Sequence, residues 1–289
     1  MPDLTPRFDR CMCTDTRVGR VAFPANDRYL HEALAECGDY CLEEMQTYSA
    51  IVPSGATVLD IGANIGLMSL LFSKLVGEAG KVHAFEPSVF TNGLLAYNVS
   101  LNGCRNVVRH RKAVSDSIGE TDFVDPEASL IDVLNFGSIS LDTRVRKNYG
   151  RMVPTPVVTI DSLGLDRCDF IKIDVEGYEA AVVRGGEKTI GKYLPFISLE
   201  TGNPADDLTW LPCLLDLGYR VFVSMFHLFS ASNFKNRDIS HLDSVVCPNA
   251  IAVPPGYDHK QVLGNLYRAE VDSLERLQAI CGRMKVHPV

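Results

Sequence analysis

Two stretches of the chain hold residue types at spacings that suit chemistry. In the first, Val58-Leu59-Asp60-Ile61-Gly62-Ala63-Asn64-Ile65-Gly66, a β-rich run feeds a tight glycine turn that opens a helical stretch. Gly62 and Gly66 permit positive φ and let a ligand approach the backbone, while the helix start offers free N–H groups. The next β-rich run ends in Phe85-Glu86-Pro87. An acid at a strand's C-terminal end can accept hydrogen bonds from both hydroxyls of a ribose. In the second stretch, Asp169-Phe170-Ile171-Lys172-Ile173-Asp174-Val175-Glu176-Gly177, an apolar strand contains a lysine and ends in Asp-x-Glu-Gly. Lys172 needs a carboxylate partner, because an unpaired charge in a sheet interior is costly. The two-residue strand period puts Asp174 on the same face. Asp174 is therefore the partner of Lys172, a reaction-centre carboxylate together with Glu176, or both.

The spacing of the first turn selects among ribose-containing ligands. A dinucleotide turn reads G-x-G-x-x-G/A, with the middle glycine admitting a pyrophosphate and the last allowing close helix packing. The corresponding positions here are Gly62, Asn64 and Leu67, so two of the three fail. What remains suits a ligand without phosphates, with Asp60 facing an ammonium group. S-adenosylmethionine (SAM) has an amino-acid tail, a ribose and no phosphate, so SAM is the expected cofactor. Methyl transfer is an in-line displacement that depends on positioning. A hydroxyl acceptor also needs its proton removed, which a carboxylate within hydrogen-bond reach can do. Asp174 is the first candidate for that base, with Glu176, Glu200 and His227 as alternatives. No metal is expected, although an Asp174/Glu176 pair could hold Mg²⁺.

These residues need a scaffold, and the alternation of patterns supplies one. From Thr57 onward, β-rich runs (57–61, 81–86, 107–114, 170–175, 196–200, 220–225 and 250–253) alternate with helical stretches (67–76, 89–101, 179–190 and 207–217). This is the signature of an α/β fold, a parallel sheet covered by helices on both faces. Residues 1–50 form a prelude of strand and helix ending in a helical stretch over 40–51, and 51–257 are the main domain. Residues 117–160 are a long connection of the kind that serves as a lid, with Asn135-Phe136-Gly137 at its tip. The segment from 258 to 289 reads as a helical extension with Leu263, Tyr267, Val271, Leu274 and Leu277 at helical spacing. That face packs on the domain or pairs two copies as a homodimer.

The 289 residues, 46% of them hydrophobic and 22% charged, suffice for one large core. A net charge of −8 disfavours nucleic-acid and membrane partners. Nine scattered cysteines without a CxxC pair point to a reducing compartment rather than a disulfide framework. No apolar run reaches the length of a membrane span, and residues 1–20 contain no apolar leader core, so a cytoplasmic protein is expected.

With these blocks in view, the chain resembles the FkbM-type methyltransferases, a family of SAM-dependent O-methyltransferases, from about Asn26 to about Pro254. The resemblance rests on VLDIGANIG, on AFEP, on AVSD at Ala113–Asp116 and on NFGSISL at Asn135–Leu141. It continues through TIDSL at Thr159–Leu163, IKIDVEGYE, Val183-Arg184-Gly185-Gly186 and PFISLE. It implies a Rossmann-like sheet of seven strands, mostly parallel with an antiparallel last strand. It puts Asp60, Gly62, Ala63, Asn64 and Gly66 around the methionine and ribose of SAM, with Glu86 and Pro87 at the ribose. It further implies Ser115 or Asp116 flanking the adenine, Asp174 and Glu176 lining the reaction centre, and Glu44 closing over it. The implied acceptor is a hydroxyl on a small molecule or sugar. Rival readings are a SAM-binding module without catalysis and a nicotinamide-dependent oxidoreductase. An amino-group methylase of nucleic acid is a third, but it would carry Asp/Asn-Pro-Pro-Tyr where Asp-Val-Glu-Gly stands.

Overall fold

The computed structural model describes residues 10–125, 151–201, 207–239, 245–260 and 269–281. A hairpin of β1 (Cys11–Thr16) and β2 (Gly19–Pro24) leads into a helical turn, α1 (Arg28–Leu30), which widens into a π-helix over His31–Cys37. Helix α2 (Leu42–Ile51) follows. Then come β3 (Thr57–Ile61), α3 (Leu67–Val76), β4 (Lys81–Phe85), α4 (Val89–Leu101) and β5 (Val107–His110). A separate three-stranded sheet is built from β6 (Ala113–Val114), β7 (Gly119–Asp125) and β8 (Arg151–Val158). The chain returns to the main sheet as β9 (Phe170–Ile173), passes through α5 (Glu179–Arg184) and α6 (Glu187–Tyr193), and forms β10 (Phe196–Glu200). Last come α7 (Trp210–Asp216), β11 (Arg220–His227), β12 (Val246–Val253), β13 (Ala269–Val271) and α8 (Leu274–Cys281).

The main sheet has the order β13-β11-β12-β10-β9-β3-β4-β5. Strands β5, β4, β3, β9 and β10 pair in parallel, and β12 runs antiparallel to both β10 and β11. The Rossmann-like arrangement of seven strands is therefore present, and β13 adds an eighth at the edge, antiparallel to β11. One apolar layer packs Leu70 and Phe72 of α3 and Phe90 and Leu94 of α4 against Val58, Phe170, Phe196 and Phe222. The other packs Val182, Ile190, Trp210 and Leu214 against Leu59, Ile171, Ile197 and Val221. Helices thus cover both faces. The hairpin is moored to α4 by the buried Asn98 side chain, which accepts from the Ala22 N–H at 2.7 Å and donates to the Ala22 and Ile65 carbonyls at 2.9 Å each.

Four expectations change. The run over 107–114 is two strands in different sheets, β5 and β6. The helical run over 179–190 breaks at Gly185-Gly186 into α5 and α6, and Gly185 lies so close to the Ser115 carbonyl oxygen that a Cβ there would stand 2.1 Å from it. The connection over 117–160 is strand at both ends, β7 pairing with β8 from Gly119↔Val157 to Asp125↔Arg151. Its expected tip, Asn135-Phe136-Gly137, lies outside the described residues, as does the NFGSISL segment. The C-terminal segment is not uniformly helical, since Val271 is in β13. Val271 and Leu277 are buried in the chain's own core. No described helix is long and apolar enough to cross a membrane.

Candidate active site

One face of the sheet changes character along its strands. Toward the N-terminal ends of the parallel strands it carries Val58, Phe170, Phe196 and Phe222, with Ile251 of the antiparallel β12 beside them, and all five belong to one apolar cluster. One strand period later the register aligns Asp60 with Lys172, Lys172 with Ser198, Glu200 with Asn249, and Asn249 with Ser224. Helix α2 lies over this boundary. Tyr48 packs its ring on Phe72 and Phe170, at 5.5 and 5.2 Å between centroids, and reaches the polar row with its hydroxyl. That hydroxyl donates to Glu44 Oε1 at 2.5 Å and lies 2.8 Å from Ser198 Oγ. Asn249 Nδ2 donates to the same Glu44 oxygen at 2.9 Å.

Lys172 is the hub of the row. Its Nζ meets Asp174 Oδ2 at 2.6 Å, and Asp60 and Glu44 also hold its charge in place. Burial opposes that charge, but the three carboxylates outweigh it and raise the Lys172 pKa. Glu44 and Asp60 are raised chiefly by burial, which Lys172 partly offsets. The Asp174 side chain keeps 39% exposure and so remains reachable. Desolvation pushes its carboxyl up, yet Lys172 and a hydrogen bond from Glu200 hold it below the usual carboxylate range. Glu200 moves the other way: burial and the charge of Asp174 drive it well above its ordinary value. Of the two, Glu200 is thus the group that burial disposes to hold a proton, and Asp174 the one that Lys172 disposes to ionise. Glu176 joins them, with one oxygen from each of the three carboxyls within 4.8 Å of the others. Its backbone has φ +54°, a left-handed conformation that a side chain rarely adopts and that re-aims the carboxyl after the strand ends.

The glycine turn lies beside this group. Gly62 has φ +84°, and a Cβ there would sit 1.7 Å from the Asp174 carbonyl oxygen. Glycine at this position thus brings the turn against the end of β9, a tighter constraint than ligand access. Gly66 (φ +88°) caps α3 and faces Leu95. Ala63 donates its N–H to the Phe85 carbonyl at 2.9 Å. Asn64 (φ +48°) donates its N–H to Glu86 Oε2 at 2.9 Å, tying the turn to the second strand. Glu86 Oε1 accepts from the Ser88 N–H at 2.9 Å and the Thr91 hydroxyl at 2.8 Å. Despite these donors, burial raises its pKa to about 7. Pro87 is half-buried. Two buried oxygens, Asp60 Oδ1 and Asn64 Oδ1, have no hydrogen-bond partner among the described residues, while Asp60 Oδ2 accepts from Ser69 at 2.5 Å.

Asp174, Glu176, Glu200, Glu44 and Asp60 are thus gathered around Lys172 or its ion-pair partner. His227 is not in this group: it is half-exposed, with its N–H and Nδ1 each 3.1 Å from Glu43 Oε2. Ser115 donates its N–H to the Val158 carbonyl, and Asp116 pairs with Arg184 at 3.1 Å, both at the edge of the small sheet. Reasoning from sequence missed Tyr48, Ser198, Asn249 and Glu43. Tyr48 carried a readable signal, since it stands four residues after Glu44 on one helix. Asn249 carried none, because only the β10–β12 register brings it there.

A model of the methyltransferase FkbM domain matches residues 60–221, more than half of the chain. A methyltransferase of Sordaria araneosa, sdnD, is 25% identical over 193 residues, 58% of this chain and 74% of that protein. The crystal structure of a methyltransferase FkbM from Methylobacillus flagellatus KT aligns with 16% identity and a TM-score of 0.42. That alignment covers 68% of this chain but 44% of the other, so the chain spans less than half of that protein. A SAM-dependent O-methyltransferase from Thermotoga maritima aligns at 13% identity and a TM-score of 0.44, over 86% and 79% of the two chains.

Proposed function

The chain belongs to the FkbM methyltransferase family, and from that premise we propose that it uses SAM to methylate a hydroxyl group on a small molecule or sugar. SAM fits the residues present. The unpartnered oxygens of Asp60 and Asn64 are acceptors beside the glycine turn, suited to an ammonium group and hydroxyls. Glu86 retains acceptor capacity beyond its three protein donors, as the ribose hydroxyls require. Bound there, SAM supplies an electrophilic methyl group on a sulfonium.

The observation that carries the hydroxyl reading is Asp174, ion-paired with the buried Lys172 at 2.6 Å yet still half-exposed at the end of β9. Lys172 keeps Asp174 ionised, and its exposed oxygen can take the acceptor's proton as attack proceeds. Glu200, which burial disposes to hold a proton, hydrogen-bonds to Asp174 and so avoids a second charge beside it. Glu44, fixed by Tyr48 and Asn249, completes the compensation of Lys172. Asn64, at the position where a dinucleotide turn carries its middle glycine, supports SAM over a nicotinamide cofactor.

The test is turnover of methyl-labelled SAM against a panel of hydroxylated metabolites and sugars, with the product linkage identified by mass spectrometry and NMR. A methyl ether supports the reading. Label on nitrogen or carbon, or SAM binding without transfer to any hydroxyl of the panel, overturns it. Chelator treatment separates the acid–base role of the three carboxylates from a metal-binding one: turnover that is unchanged fits proton transfer by Asp174, and turnover that is lost and restored by Mg²⁺ contradicts it.

A further inference from the structure

The chain also contains a pair of thiols that the methyl-transfer reading leaves unused. Cys41 and Cys247 are 206 positions apart in sequence, yet their Sγ atoms lie 3.3 Å from one another. Cys41 is fully buried and Cys247 partly exposed. They sit in a small apolar cluster with Ala33, Cys37, Leu228 and Phe229, separate from the two main layers of the core. Both backbones are held. Cys41 has φ +49° between the π-helix and α2, and its N–H donates to the Leu228 carbonyl at 3.2 Å. Cys247 is paired with Phe226 within the β11–β12 ladder. The approach of the sulfurs is thus set by backbone that neither residue controls alone.

We propose that Cys41 and Cys247 are a redox-active dithiol that a low-molecular-weight disulfide, such as oxidised glutathione, converts to an intramolecular disulfide. A covalent S–S bond is about 2.05 Å long, so the sulfurs must close by roughly 1.3 Å, within reach of side-chain rotation. The partly exposed Cys247 attacks first. Its thiolate displaces one reduced glutathione and forms a mixed disulfide on its own sulfur, and its proton goes to solvent. The Cys41 thiolate then attacks the Cys247 sulfur and expels the second reduced glutathione. Two protein thiols are oxidised and one glutathione disulfide is reduced to two thiols. The hydrogen bond to Cys247 and burial both raise the Cys41 pKa, which disfavours its thiolate in this second step.

The bond would tie the residue just before α2 to the strand that carries Asn249. Helix α2 bears Glu43, Glu44 and Tyr48, and it is held to the sheet by hydrogen bonds and by apolar packing such as Tyr48 on Phe170. Oxidation therefore clamps the cap that packs beside the Lys172 cluster. Because it concerns thiols alone, the proposal stands whether or not the acceptor is a hydroxyl.

The full chain, equilibrated in glutathione buffers of increasing oxidising poise, is quenched with acid, alkylated, digested and mapped by mass spectrometry. The expected result is a dominant Cys41–Cys247 cross-linked peptide, reversed by dithiothreitol. The oxidised protein should melt roughly 5 °C or more above the reduced one. Cys247→Ser should lose the cross-link. A Cys247–glutathione adduct with Cys41 left alkylatable would overturn the proposal, as would a dominant cross-link through Cys37. A cross-linked protein with unchanged melting temperature would overturn the clamp. The wild-type mapping decides the matter even if a variant fails to fold.

Discussion

The glycine turn and the Lys172 cluster lie side by side but are built in opposite ways. The turn is local: Asp60, Gly62, Asn64 and Gly66 fall within seven consecutive residues, and Glu86 is held by the N–H groups of Asn64 and Ser88 and by the Thr91 hydroxyl. The cluster is assembled from α2, β3, β9, β10 and β12, and its geometry rests on one buried cation among carboxylates. Damage to a turn of the first kind should remain a binding defect. Damage to a hub of the second kind should spread to stability, because removing its cation leaves buried anions uncompensated.

The widest separation between the two regions should come from Lys172→Met. This variant leaves Asp60, Asp174 and Glu44 without their common counter-charge, and a loss of about 3–5 kcal/mol in unfolding free energy is expected from urea titration. A variant as stable as the parent would show that the carboxylates simply take up protons. Next in size, Asp174→Asn should lower kcat by roughly 10²-fold or more while donor affinity stays within about threefold. Its melting temperature must be measured in parallel. If the loss of activity only tracks loss of folded protein, Asp174 serves Lys172 alone, and the base is sought at Glu176, Glu200 or His227.

In the turn, Glu86→Ala should weaken SAM binding by about tenfold to a hundredfold in calorimetry, with kcat at saturating donor little changed. A kcat defect larger than the binding defect would erase the contrast between the regions. The same residue gives a pH test. Burial raises Glu86 to about 7, so in the free folded chain it is largely protonated below that value, and protonation removes an acceptor from the ribose. Donor affinity should fall as pH drops, by about tenfold between pH 8 and pH 6, and Glu86→Gln should remove that difference. A wild-type profile that matches the Glu86→Gln profile would show that the ionised form is not required. The smallest effect belongs to Tyr48→Phe, which deletes one donor to Glu44 and should cost about 1 kcal/mol of stability with donor affinity unchanged.

The two regions also differ in how far they could be read in advance. The turn was legible because its constraint is local: a β-run, glycines at fixed offsets and an acid at the next strand end leave few conformations. Strands β3 and β10 and helices α3 and α4 have the expected boundaries for the same reason, since apolar period and flanking breakers agree there. The Lys172–Asp174 pair could be anticipated from strand period and the cost of a buried charge. The break at Gly185-Gly186 and the division of 107–114 between two sheets could not. The first goes with a close approach of Gly185 to the Ser115 carbonyl and the second with a partner strand, both supplied by a distant part of the chain.

By itself, then, the sequence determined the order of strands and helices, the glycine turn with its partner acid, and the pairing demanded by Lys172. Each follows from forces acting over a few residues: backbone sterics, hydrophobic period and the desolvation cost of a charge. Only the tertiary structure decided that Glu44 shares Lys172 with Asp60 and Asp174, and that Glu200 and Asp174 are pushed in opposite directions. It alone brought Asn249 onto Glu44 and Cys247 against Cys41. These contacts follow from strand register and from the docking of α2, which are set by the packing of the whole core and leave no periodic trace in the sequence.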